Sequence, residues 1–72
     1  MSRTVTLPCN IGDTFYGVHH DYYYGYVVKA IVIDKKGLWF ETTYEMRFLY
    51  GDDAFLTEEE AEAKIQENRN ET

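Results

Sequence analysis

The chain lacks several features that commonly stabilise or localise a small protein. Its 72 residues include one cysteine, Cys9, so no disulfide can form within the chain. A lone cysteine is typical of a reducing cytosol. No apolar run approaches the roughly 18 residues that are needed to span a membrane, and the first ten residues lack the apolar core of a signal peptide. We therefore expect a cytoplasmic protein with no membrane segment.

Basic residues are also scarce, and their distribution is uneven. The chain has 7 basic and 13 acidic residues, which leaves a net charge of −6. Residues 1–51 hold five of each sign, so the whole net charge falls in residues 52–72. No Lys or Arg lies between Arg3 and Lys29. Because Lys and Arg contacts to phosphate supply most of the affinity for nucleic acids, we do not expect direct binding to nucleic acid.

Sequence motifs for catalysis or cofactor binding are missing as well. The side chains that could hold a metal ion are Cys9, His19, His20 and Asp21. Adjacent histidines on a strand point to opposite faces, and no paired spacing such as C-x-x-C supports a site. The chain has no phosphate-binding glycine loop and no His-Glu zinc motif. We expect no catalytic residue, no metal and no cofactor, and therefore no enzyme.

Aromatic residues, by contrast, are abundant. Seven Tyr, four Phe and one Trp occur in the 72 residues. A domain of this size buries only about 60% of the surface of its unfolded chain, and each aromatic side chain can bury roughly 150–250 Å². Most of these residues are therefore predicted to form the core.

Alternating β-branched and aromatic residues predict several short strands. These cover residues 5–7, 14–18, 26–33, 38–42 and 45–50, with turns at 10–13, 34–37, 43–44 and 51–53. A bulge or bend near Lys29 and Ala30 would turn Val28, Ile31 and Ile33 inward. Leu38 and Phe40 are also predicted inside, and Met46, Phe48 and Tyr50 are predicted to share one face of their strand.

The segment FLTEEEAEAKI gives the clearest local signal. Thr57 followed by Glu60 is a capping box, which predicts a helix over residues 58–68. Ala61 and Ile65 form a narrow apolar stripe that should dock on the sheet. Residues 69–72 are predicted to fray. The whole pattern predicts one domain over residues 1–68, mainly β with α+β character, built as a small SH3-like antiparallel barrel of about five strands with one C-terminal helix.

The motifs at the two ends of the chain resemble those of a known group. A "C-x-x-G-D-x-x-Y" opening and an "F-x-T-x-E-E-A-E" closing segment are similar to those of small acidic proteins encoded in phages and mobile elements of Gram-positive bacteria. The matching positions are Cys9, Gly12, Asp13, Tyr16, Phe55, Thr57, Glu59, Glu60, Ala61 and Glu62. The resemblance implies an SH3-like fold and a phage or mobile-element origin. It implies no activity, since most members have no assigned function.

The stretch HHDYYYGY, residues 19–26, contains a run of three tyrosines, residues 22–24, that lies outside that resemblance. Tyrosine offers a large amphipathic contact area at low entropic cost and is enriched at binding hot spots. Three consecutive tyrosines cannot all face one core, so at least one must be exposed or cover a neighbouring surface. We expect a hairpin end whose tyrosine loop binds a partner protein, with two tyrosines capping the open end of the barrel as the alternative. The predicted contact residues are His20, Tyr22, Tyr23, Tyr24 and Tyr26.

The acidic segment supports a second hypothesis. Its predicted surface consists of Asp52, Asp53, Glu58, Glu59, Glu60 and Glu62. These carboxylates are either a solvated helix face with a favourable dipole match or a mimic of phosphates. In the second case the protein would be an inhibitor, as anti-CRISPR proteins are, that occupies the basic channel of a host nuclease or another nucleic-acid enzyme. The sequence thus predicts a monomeric or homodimeric protein-binding module, with acidic inhibition as the alternative function.

Overall fold

The computed structural model describes residues 7–70, which fold into six strands and one helix and are mainly β with α+β character. The elements are β1 Thr14–His19, β2 Tyr22–Val27, β3 Ala30–Asp34, β4 Gly37–Glu41, β5 Arg47–Leu49, β6 Ala54–Phe55 and α1 Glu58–Asn70. The strand predicted over residues 5–7 lies outside the described residues except for Leu7, which is in no strand. The short strand β6, which follows the turn at residues 51–53, was not predicted.

The strands form two three-stranded antiparallel sheets. The order is β2-β1-β6 in the first sheet and β3-β4-β5 in the second. Within residues 7–70, the two sheets are not closed into one continuous hydrogen-bonded barrel. The mainly β architecture with a C-terminal helix is therefore confirmed, while barrel closure is not.

A bend at Val28 and Lys29 divides the strand that was predicted over residues 26–33. The Val28 amide donates to the Asp13 carbonyl at 2.9 Å, and the Lys29 amide donates to the Glu41 carbonyl at 2.8 Å. Adjacent residues thus bond to different partners, Asp13 just before β1 of one sheet and Glu41 of β4 in the other, which confirms the predicted bend. Val28 is buried, as predicted, and Ile31 packs against the core.

The prediction that Ile33 points inward is wrong, since its side chain is 58% exposed. Ile33 lies one residue before the end of β3 and next to the exposed turn at residues 35–36. Its partner across the sheet, Leu38 of β4, packs against the core, so the Ile33 side chain lies at the edge of the core and not within it.

Aromatic rings from both sheets fill the core, as predicted. Phe15 of β1 and Phe40 of β4 have ring centroids 5.1 Å apart, and Phe15 and Phe48 of β5 are 5.6 Å apart. Leu38 and Met46 are partly buried against this cluster. The shared rings hold the two sheets together, because burial of apolar area is the main driving force of folding.

The helix begins and docks as the sequence predicts. The Glu60 amide donates to Thr57 Oγ1 at 3.2 Å, and that hydroxyl donates to Glu60 Oε1 at 3.0 Å, so Thr57 is the N-cap. Ala61 and Ile65 are buried against Val18 of β1. The helix extends to Asn70, so the predicted fraying at residues 69 and 70 is wrong, and residues 71 and 72 lie outside the described range. No helix in the described part of the chain is both long and apolar enough to cross a membrane.

Candidate functional site

The stretch HHDYYYGY forms the closed end of the β1–β2 hairpin. His19 is the last residue of β1, residues 20–21 form the turn, and β2 begins at Tyr22. The prediction of a hairpin end is confirmed, but that of a tyrosine loop is wrong, because the tyrosines lie on a strand. Tyrosine favours strands, and a two-residue turn in which His20 adopts a φ of 54° is sufficient to reverse the chain.

Alternation along the two strands gives the hairpin two different faces. Tyr22, Tyr24 and Tyr26 of β2 lie opposite His19, Gly17 and Phe15 of β1, respectively. We call this side, together with the Phe48 ring that packs on it, the aromatic face. The opposite side, which we call the helix face, carries Tyr16, Val18 and Tyr23 and packs against α1. Since side chains alternate along a strand, consecutive tyrosines belong to different surfaces.

The inner half of the aromatic face is closely packed around Gly17. The Tyr26 and Phe48 rings lie 5.1 Å apart, and a Cβ atom on Gly17 would stand 2.8 Å from Cε1 of Phe48 and 2.9 Å from Cε2 of Tyr26. Real Cβ atoms do not approach other atoms so closely, so any other residue at this position would force the two rings to move. Burial raises the pKa of the Tyr26 phenol. The sequence analysis did not single out Gly17, although a glycine within a strand often marks such a close approach.

The outer half of the aromatic face is an ordered but exposed group of rings. The His19 imidazole stacks on Tyr22 with centroids 5.1 Å apart, and its Nε2 lies 2.6 Å from the Tyr26 hydroxyl. The Tyr22 and Tyr24 rings meet edge to face at 5.4 Å. Tyr22 is 49% exposed and Tyr24 is 59% exposed. His19, which was not among the predicted contact residues, is thus the ring that connects three of them.

Tyr23 is directed away from that surface. Its hydroxyl donates to Glu58 Oε1 at 3.0 Å, and its ring packs edge to face against Tyr16 at 5.8 Å. The hydrogen bond to Glu58 raises the pKa of Tyr23, because it requires the phenol proton. Nearby, the His20 carbonyl accepts a hydrogen bond from Asn68 Nδ2 at 2.8 Å. Tyr23 and His20 therefore connect the hairpin to the helix, and they do not belong to the aromatic face.

The six predicted acidic residues do not form one surface. Asp53 is half-buried, and its Oδ1 accepts a hydrogen bond from the Leu49 amide at 2.6 Å. Burial raises the pKa of this carboxyl group. Asp52 lies 3.8 Å from Lys64, which lies equally close to Glu67. Because Asp53 is half-buried and bonded within the 51–53 turn region, we remove it from the acidic surface that the sequence predicted.

Of the other carboxylates, Glu58, Glu59 and Glu62 lie near the hairpin end, whereas Glu60 lies on the side of the helix that carries Lys64. Glu60 takes part in the helix cap, and Glu58 bonds to Tyr23. Glu59 and Glu62 are exposed and line a groove between α1 and the hairpin, together with Asp21 of the turn. The acidic charge is therefore divided between this groove and the surroundings of Lys64.

No protein-family model, curated protein or solved structure matches this chain. The resemblance to phage and mobile-element proteins stays a prediction.

The remaining reactive side chains are dispersed. Within residues 7–70, no group of three or more His, Cys, Asp or Glu side chains is placed to hold a metal ion. Cys9 is partly buried against the core, and burial raises its pKa, which disfavours the thiolate form that acts as a nucleophile. The chemistry that the hairpin end offers is that of aromatic rings, hydroxyl groups and nearby carboxylates.

Proposed function

We propose that this chain is a non-enzymatic protein-binding module of phage or mobile-element origin that acts in the host cytoplasm. Its contact surface is the outer half of the aromatic face, formed by His19, Tyr22 and Tyr24 with Tyr26 behind them. The observation that carries the proposal is the exposure of two neighbouring tyrosine rings, 49% and 59%, on one face of the hairpin.

The fixed arrangement of these rings supports binding. The His19 ring is held by stacking on Tyr22 and by its contact with the Tyr26 hydroxyl. Binding orders flexible side chains at a cost of about 0.5–1.5 kcal/mol each. Rings that are already ordered in the free protein avoid much of that cost.

The position of β2 in its sheet gives further support. Among the described residues, β2 pairs with β1 alone, so it is an edge strand, and its sequence YYYGYV contains no charge and no proline. Proteins usually protect such edges with charged residues, proline or bulges. An unprotected edge beside exposed tyrosines favours a surface that a partner protein covers, and a second copy of the chain would make the protein a homodimer.

The same proposal includes an SH3-like barrel as the fold. The strands follow the order β6-β1-β2 and β3-β4-β5, and the bend at Val28 and Lys29 makes β2 and β3 parts of one strand that serves both sheets. One shared aromatic core between the sheets supports this description.

Affinity capture from a host lysate tests the proposal. Three baits are compared: the wild-type protein, a Tyr22→Ala/Tyr24→Ala variant and an Ile11→Ala control. Ile11 is a suitable control because its side chain is also exposed, at 66%, but lies outside the hairpin. Loss of a hot-spot tyrosine costs about 2 kcal/mol or more, or roughly 30-fold in affinity. We expect the tyrosine variant alone to lose the partner. Retention by all three baits contradicts the proposal.

An acidic inhibitor is the second candidate, and one observation favours it. Asp21 of the hairpin turn joins Glu59 and Glu62 at a single groove, which concentrates negative charge beyond what the helix alone provides. A protein that occupies a basic nucleic-acid channel through these carboxylates should bind its target much less tightly at high salt. Capture that survives loss of Tyr22 and Tyr24 but disappears in about 1 M salt would favour inhibition.

A further inference from the structure

A groove lies between the hairpin end and the helix, on the side away from Tyr24. Its volume is about 590 Å³, within the range of roughly 300–1,000 Å³ typical of ligand sites. Tyr22 and Tyr23 of β2 line one side of the groove, and the buried Ile65 of α1 lies on the other. This surface can accept the aliphatic part of a long side chain.

The groove is formed in the free protein. Tyr23 is bonded to Glu58 at the start of the helix, and Asn68 near the end of the helix is bonded to the His20 carbonyl. These two contacts join the hairpin to both ends of α1. A ligand therefore enters a preformed site and does not have to assemble it.

The charges that line the groove select the sign of the ligand. Asp21, Glu59 and Glu62 are exposed carboxylates, and Arg69 is the one basic side chain of the lining, so negative charge is in excess. Aromatic rings attract cations as well, since the face of the ring carries negative charge. An acidic rim around aromatic and apolar walls is complementary to a lysine or arginine side chain.

We propose that this groove binds a lysine or arginine side chain presented by the partner protein. The inference rests on the proposed function, because it names the chemistry of the partner segment that would lie beside the aromatic face. The aliphatic part of the side chain packs against Ile65 and the tyrosine rings, and its charged end lies among the carboxylates of Asp21, Glu59 and Glu62. Tyr22 lies at the boundary of the groove and the aromatic face, so one partner segment can contact both.

A peptide titration of the full chain tests the groove. The probe is an end-blocked tetra-arginine peptide, and tetraglutamate is the negative control. Binding is monitored by calorimetry and by amide chemical shifts. A Glu59→Gln/Glu62→Gln variant removes two charges from the groove. The matched Asp52→Asn/Glu67→Gln variant removes two charges near Lys64, away from the groove.

We expect the amide chemical shifts to change at residues 20–23 and along α1 when wild type binds tetra-arginine. The Glu59→Gln/Glu62→Gln variant should bind the peptide at least about tenfold more weakly than wild type. The matched variant should bind it within about twofold of wild type. Equal weakening in the two variants would mean general attraction between charges and would overturn the inference. Failure of wild type to bind tetra-arginine, or equal binding of tetraglutamate, would overturn it too.

A Tyr24→Ala variant separates this inference from the proposed function. Tyr24 is not among the residues that line the groove, so tetra-arginine affinity should stay within about twofold of wild type. If the Tyr24→Ala variant binds the peptide and also captures the lysate partner as well as wild type does, the aromatic interface is overturned and the groove is supported. Tyrosine-dependent capture without peptide binding would overturn the groove alone.

Discussion

The two faces of the β1–β2 hairpin are built from the same two strands but differ in how far other elements cover them. On the helix face, Val18 is buried beneath Ala61 and Ile65, and Tyr23 has both a packing neighbour and a hydrogen-bond partner. On the aromatic face, Phe48 covers the inner half near Gly17, while Tyr22 and Tyr24 stay half exposed or more.

The difference separates side chains that hold the fold from side chains that are available to a partner. Burial of apolar area gives about 25 cal/mol per Å², so the covered rings stabilise the domain most. The exposed rings contribute little stability, yet they are ordered by contacts with His19. Order without burial is the property that distinguishes the outer aromatic face from the rest of the hairpin.

The largest effect on stability is expected at the centre of the aromatic face. A Gly17→Ala substitution places a methyl group within 2.9 Å of two rings, and overpacking typically costs about 1–3 kcal/mol. We expect the upper end of this range, about 3 kcal/mol, because two packed rings would have to move at once. Gly25→Ala is the matched control, because the nearest atoms to its Cβ are 3.7 Å away. Urea unfolding should show a large loss for Gly17→Ala and little change for Gly25→Ala. Similar losses at the two glycines would contradict the packing around Gly17.

The second-largest loss of stability is expected from a substitution on the helix face. Ile65 is 7% exposed, and truncation of a buried isoleucine to alanine typically costs about 2–5 kcal/mol. We expect Ile65→Ala to fall at the low end of this range, since the face is only one helix wide. Gln66→Ala, on the exposed side of the same turn, should leave the free energy of unfolding nearly unchanged. Equal thermal midpoints for the two variants would show that α1 does not stabilise the hairpin.

The turn that leads to β6 gives a pH-dependent prediction. Burial raises the pKa of Asp53 and the neighbouring Asp52 adds to this, whereas the hydrogen bond from the Leu49 amide and the nearby His19 oppose it. A raised pKa in the folded state means that ionisation of Asp53 opposes folding at neutral pH, and that this penalty disappears as the pH falls through its folded pKa towards the unfolded value. Asp53→Asn keeps an oxygen for the Leu49 amide, so it should be at least as stable as wild type at neutral pH.

That advantage of Asp53→Asn should shrink near about pH 4. Asp53→Ala, which removes the acceptor, should instead cost about 1–2 kcal/mol at neutral pH. Unfolding free energies measured at the two pH values would contradict this account if the advantage of the asparagine variant grew in acid.

The smallest effect on stability is expected at the outer aromatic face. Tyr24 is 59% exposed, and substitutions at such surface positions usually change stability by about 0.5 kcal/mol or less. Tyr24→Ala should therefore unfold within about 1 kcal/mol of wild type. A loss comparable to that of Ile65→Ala would mean that Tyr24 belongs to the core and would remove the distinction between the two halves of the face.

Much of this architecture follows from local rules. The Thr57 cap, the apolar pair Ala61 and Ile65, and the bend near Lys29 were predictable because each depends on residues close in sequence. The two-residue β6 was not, because two residues carry no periodicity and the strand is defined by its pairing with the distant β1.

The candidate site was only partly predictable for the same reason. Alternation along a strand separates Tyr23 from Tyr22 and Tyr24, but the sequence alone could not show that the tyrosines lie on a strand and not in a loop. The contact of Tyr23 with Glu58 and the half-burial of Asp53 depend on where distant elements pack. Such long-range contacts decide which carboxylates and which rings remain exposed.

The central claim is that Tyr22 and Tyr24 serve binding rather than folding, and one measurement addresses it most directly. The amount of partner captured by the Tyr22→Ala/Tyr24→Ala protein is compared with that captured by wild type at high salt, after urea unfolding has shown that the variant is folded. The account predicts a folded variant that loses the partner, with a reduction of roughly 30-fold or more in affinity. A folded variant that captures the same partner as well as wild type would contradict it.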